Sequence, residues 1–121
     1  MITEDYVSFE TTKLLKEKGF DELCHGYFRK DNPNNLVKLA QSANWNDEPF
    51  FTSRPTLQMA MKWLREVHNL HIKSDRASKY WNYTIRKLCP FGTKDLSYDV
   101  DFNTNEQACE TAIRYCLKNL L

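Results

Sequence analysis

A chain of 121 residues, 41% hydrophobic and 13% aromatic, has the size and apolar content of one domain over 1–121. It needs neither disulfide nor metal staples to hold a core. A formal charge of +1 excludes a polybasic or an acidic tail, yet the charge is uneven. Residues 62–94 hold Lys62, Arg65, Lys73, Arg76, Lys79, Arg86, Lys87 and Lys94 against Glu66 and Asp75, a net of +6, while 1–61 and 95–121 come to −2 and −3.

The first helix is predicted over residues 8–18. Ser8 caps it, Leu14 and Leu15 give it an apolar edge, and Gly19 followed by Phe20 stops it. A strand over 24–29 follows, then strong turn chemistry in Asp31-Asn32-Pro33-Asn34-Asn35, then a hairpin partner over 36–40. Residues 41–53 read as a long loop carrying Trp45, Phe50 and Phe51, which either folds back on the core or offers its rings to a partner.

The second helix has Pro55 in its first turn with Ser53 or Arg54 just outside. Leu57, Ala60, Met61, Leu64, Val67 and His68 recur at helical spacing, Met59 and Trp63 widen the stripe, and the helix ends near Asn69. Residues 70–73 make a strand with Leu70 and Ile72 inward. In the next strand, 80–88, Trp81, Tyr83 and Ile85 alternate with Asn82, Thr84 and Arg86. After the turn Cys89-Pro90-Phe91-Gly92, Leu96, Tyr98, Val100 and Phe102 alternate with Ser97, Asp99 and Asp101, which predicts the first set inward and the second wet. Thr104 and Gln107 open the last helix as a capping box, with Cys109, Ala112, Ile113, Cys116, Leu117 and Leu120 as its buried stripe. The expected fold is α+β, in the order α-β-β-α-β-β-β-α: an antiparallel sheet of about five strands with three helices on one side.

Three stretches carry a family likeness. They are Ile2 to Glu10 with Leu14-Leu15-Lys16-Glu17-Lys18-Gly19-Phe20-Asp21, Pro55 to His68, and Ala112 to Leu120. Together they resemble a family of small uncharacterised proteins from phages and prophages of gut Bacteroides-type bacteria. The run Met59-Ala60-Met61-Lys62-Trp63-Leu64-Arg65-Glu66-Val67-His68 is its most specific part. The resemblance spans most of the chain and implies a phage-derived product acting inside a bacterial host cell. It supplies no activity, substrate or catalytic residue.

No apolar run approaches the roughly 18 residues of a membrane span. The start, Met1 to Tyr6, is acidic where a secretory leader is basic and then apolar. A cytoplasmic protein without membrane attachment is expected. Cys24, Cys89, Cys109 and Cys116 form no CxxC pair and are expected as reduced thiols binding no metal. Cys109 and Cys116 lie about 10 Å apart along a helix, beyond the roughly 7 Å reach of a disulfide, and read as small buried hydrophobes.

Catalytic chemistry finds little footing. His68 ends a helix and His71 sits in a strand, with no Glu after His68 as in H-E-x-x-H. Cys24 and His25 are strand neighbours pointing to opposite faces. Asp99 and Asp101 read as a solvated strand face, and three glycines in all leave no phosphate-cradling loop. No catalytic residue, metal or cofactor is expected. The favoured reading is a non-enzymatic interaction module that binds a protein partner or itself, through Trp45, Phe50 and Phe51 or through the sheet face carrying Asn82, Thr84 and Arg86. The alternative is weak nucleic-acid binding through Lys73, Arg76, Lys79 and Arg86, interleaved with Tyr80, Trp81 and Tyr83.

Overall fold

The computed structural model describes residues 5–22, 24–29, 32–43 and 51–121, with side chains at 5–22, 24 and 53–121. Its elements are α1 (Phe9–Glu17), β1 (Cys24–Arg29), β2 (Asn32–Ala43), β3 (Phe51–Ser53), α2 (Leu57–His68), β4 (Leu70–Ala77), β5 (Tyr80–Cys89), β6 (Gly92–Phe102) and α3 (Asn105–Tyr115). A wider π-type turn, Cys116–Leu120, continues α3.

Each helix opens on a hydroxyl. Ser8, Thr56 and Thr104 accept the amides of Thr11, Met59 and Gln107 at 3.4, 3.2 and 3.1 Å, so one orphan donor of each first turn is satisfied. The expected start of α2 is corrected by this geometry. Thr56 is the cap, and Pro55 stands before it rather than in the first turn. Gly19 stops α1 at φ +87°, where a Cβ would be strained. Asn69 ends α2 in the left-handed region at φ 57°, ψ 33°, a conformation asparagine tolerates.

Among the described residues the strands form two three-stranded antiparallel sheets, β2-β1-β3 and β4-β5-β6, not the expected single sheet of about five. The expected loop accounts for part of the difference. Residues 41–43 prolong β2, and β3 pairs with β1, Tyr27 facing Ser53. The expected turn at 31–35 is also tighter, since Asn32 already pairs with Arg29. Pro33 thus stands in an edge strand, where a missing N–H need not cost a ladder bond. Trp45 and Phe50 lie outside the described residues, and Phe51 is placed by its backbone alone.

The core lies between β4-β5-β6 and the helices. Ala60 and Leu64 of α2, Ala112 and Ile113 of α3, Ile85 of β5, and Leu117 are fully buried, as are Val7 and Leu15 on the α1 side. Phe20 meets Trp63 edge-on at 5.4 Å, tying the end of α1 to α2. Val67 departs from the predicted stripe and is 54% exposed. Trp63 turns inward instead and packs against the His68 ring at 4.7 Å, which leaves Val67 on the solvent side.

β6 departs furthest from expectation. Counted back from the turn, Cys89 faces Gly92 and Arg86 faces Asp95, but Ile85 faces Ser97 and Tyr83 faces Asp99. One extra residue near Leu96 has flipped the strand. Ser97 and Asp99 therefore share the helix side with Ile85 and Tyr83, and Tyr98 and Val100 point away, 63% and 40% exposed. A second irregularity, with Asp101 at φ 70°, returns Phe102 to the helix side opposite Trp81 and 5.7 Å from the Tyr83 ring. Each inserted residue reverses the two-residue parity on which the prediction rested.

Candidate functional site

The face of β4-β5-β6 turned away from the helices is formed by alternation, one rung at a time. His71 faces Arg86, which faces Asp95; Lys73 faces Thr84, which faces Tyr98; Asp75 faces Asn82, beside which stands Val100; and Ala77 faces Tyr80. Tyr80 is 39% exposed. With Tyr98 and Val100 it makes a strip of apolar surface interrupted by the small polar side chains of Asn82 and Thr84. Arg86 Nε donates to Asp95 Oδ1 at 2.9 Å, and Lys73 Nζ lies 3.7 Å from Asp75. Both ion pairs sit in solvent at the margins of the strip, where they set local polarity more than stability.

Asn82, Thr84 and Arg86 thus lie together on one open face, as the alternation of β5 predicts. The four basic residues of the alternative reading do not form one set. Lys73 and Arg86 share the open face, each beside a carboxylate. Arg76 pairs with Trp81 on the helix side. Lys79 lies in the turn with its ammonium 5.5 Å from the Tyr80 ring centre. Lys62 and Arg65 belong to α2. The excess charge of 62–94 is therefore divided among several surfaces, and Asp95, one residue beyond that segment, folds back on Arg86.

Tyr98 and Val100 were missed as surface residues in the sequence. The available signal was length: the stretch from the turn to Phe102 holds more residues than its partner strand can match, which requires bulges.

His68 and His71 do not converge. His68 lies against Trp63, its pKa lowered by burial and then by the charge of Lys87, whereas His71 is on the open face opposite Arg86. Among the described residues no group of three His, Cys, Asp or Glu side chains is placed to hold a metal ion. All four cysteines are free thiols, with Cys24, Cys109 and Cys116 buried and Cys89 exposed. Burial pushes the Cys24 thiol up to about 12, with a smaller push from Glu22, and burial pushes Cys116 up to about 12. Neither is poised as a thiolate nucleophile. The His25 side chain lies outside the described residues.

A cleft of about 360 Å³ between the N-terminal segment and α3 is lined by Asp5, Tyr6, Arg54, Glu106 and Glu110, among others. One oxygen of the Glu110 carboxylate is engaged, Oε1 accepting from the Ser8 amide at 2.9 Å and from Thr11 Oγ1 at 2.6 Å, while Oε2 is buried without a hydrogen-bond partner among the described residues. Among the described residues no helix is long and apolar enough to cross a membrane. No family model, no curated protein and no solved structure matches the chain.

Proposed function

We propose that this chain is a non-enzymatic interaction module, a phage- or prophage-type accessory protein of the bacterial cytoplasm. It binds a protein partner through the open face of β4-β5-β6. The observation that carries this reading is the set of Tyr98, Val100 and Tyr80, exposed on one face of the sheet and edged by the pairs Lys73–Asp75 and Arg86–Asp95. Aromatic side chains inside a polar margin are the composition of protein interfaces. The Asn82 and Thr84 side chains between them offer hydrogen bonds that fix register. Nucleic acid is the weaker reading, because phosphate binding needs several unneutralised cations on one surface.

The test is affinity capture from a lysate of the bacterial host, with and without nuclease, comparing the wild-type chain with Tyr98→Glu and with Val67→Ser on another surface. The proposal expects a protein that survives nuclease, is lost with Tyr98→Glu and is kept with Val67→Ser. Capture that disappears with nuclease, or that ignores Tyr98→Glu, contradicts it.

A further inference from the structure

The two edges of the β4-β5-β6 sheet differ in kind. β6 is interrupted twice in its register, has Asp101 in the left-handed region, and carries Asp95, Asp99 and Asp101 along its length. Bulges of this sort block the addition of another strand. β4 pairs with β5 over eight successive residues with no register shift, contains no proline or glycine, and has no strand on its other side among the described residues. An edge so regular is a template for pairing.

The side chains of β4 specify the occupant. Lys73, Ser74 and Asp75 are consecutive, with the two charges on the open face half exposed, 50% and 55%, and the serine between them turned to the helix side. There the Ser74 hydroxyl hydrogen-bonds Asn105. We propose that β4 pairs antiparallel with β4 of a second copy of this chain, about a two-fold axis at Ser74. That axis sets Lys73 opposite Asp75 of the second copy, and Asp75 opposite its Lys73, roughly 4.5–5.5 Å apart across the strands. The smallest side chain of the three lies on the axis. Ile72 faces Arg76 of the second copy, whose aliphatic stem covers it.

The same two charges reject the neighbouring arrangements. Sliding the pairing by two residues in one direction opposes lysine with lysine, and in the other aspartate with aspartate. Parallel in-register pairing opposes both like pairs at once. A slip of one residue turns every side chain to the wrong face. One register alone is both self-complementary and parity-correct, and a two-fold interface of this kind closes on itself instead of growing into a fibre. The product is a continuous six-stranded sheet with both open faces on one side. This inference concerns the edge of β4 and stands or falls separately from partner binding on the face.

Sedimentation equilibrium on the full chain tests it, with circular dichroism confirming that each variant is folded. The wild type is expected to show a monomer–dimer equilibrium. Lys73→Asp and Asp75→Lys, each placing like charges opposite one another twice, should each weaken dimerisation by about tenfold or more. The double exchange Lys73→Asp with Asp75→Lys should restore it. A wild type that stays monomeric overturns the proposal. So do single variants that dimerise like the wild type, and so does a double exchange that fails to recover.

Discussion

Glu110 and Ser8 are 102 residues apart in sequence and joined at 2.9 Å, the carboxylate of α3 receiving the amide that opens α1. The same oxygen takes the Thr11 hydroxyl at 2.6 Å. One acidic side chain therefore fastens the first helix to the last, at the positive end of the α1 dipole where a carboxylate is favoured. Glu110→Ala leaves both donors without that acceptor and should cost about 1–3 kcal/mol in chemical denaturation. Glu110→Gln retains an accepting oxygen and should cost clearly less. Losses below about 0.5 kcal/mol for both variants would mean that Glu110 is not the fastening.

Leu64 is fully buried between α2 and the sheet, and Val67 on the same helix is 54% exposed. Leu64→Ala should lower stability by roughly 2–5 kcal/mol, and Val67→Ala by less than about 0.5 kcal/mol. Denaturation midpoints that move alike for both would contradict the orientation of α2.

The thiols divide by burial. In the folded protein Cys89 should react with a thiol reagent at an ordinary rate, and Cys24, Cys109 and Cys116 only on unfolding. Counting thiols before and after denaturant reads this directly. Burial holds the Cys24 and Cys116 thiols at about 12 against a usual 9.0. An unfolded chain loses these protons first, so their contribution to stability is full below pH 9 and declines as pH rises from 9 toward 12. His68 works in the other direction. Its lowered pKa means that its contribution is present above about 6.5 and is lost as pH falls through its value in the fold. A stability profile flat across both limbs would contradict these burials.

Most of the helical architecture was legible in the sequence, because caps and stops are local chemistry. Ser8, Gly19, Thr104 and the end of α2 at Asn69 are read from single residues whose preferences do not depend on tertiary contacts. The pairing of β4 with β5 was legible in part for a related reason, Leu70, Ile72, Tyr83 and Ile85 alternating without interruption, but only residues 70–73 were read as strand, and the continuation to Ala77, where Ser74, Asp75 and Arg76 carry no apolar signal, was not. The parity of β6 was not. Tyr98 and Val100 carry the same apolar signal whether they face the helices or solvent, and only the count of residues against β5 reveals the bulges that turn them out. The strand β3 was hidden because its pairing with β1 is remote in sequence. The open face was half visible in consequence: Asn82, Thr84 and Arg86 were identified from β5, and Tyr98 and Val100 beside them were assigned to the core.

The division of the basic residues sets an expectation for nucleic acid. Lys73 and Arg86 lie beside Asp75 and Asp95, and Arg76 and Lys79 lie elsewhere, so at most a few phosphates could be neutralised together. Any binding should be weak and should vanish by about 200 mM salt. Neutralising Lys73 or Arg86 should change the salt slope little. Micromolar binding that persists at that salt would favour a nucleic-acid interface over a protein one.

The most direct measurement is photocrosslinking in bacterial cells that express the chain, with a benzophenone amino acid replacing Tyr98 in one variant and Val67 in another. An adduct at Tyr98 that protease removes and nuclease does not, absent at Val67, is the result expected of a protein-binding sheet face. No adduct at Tyr98, or one that nuclease removes, would contradict it.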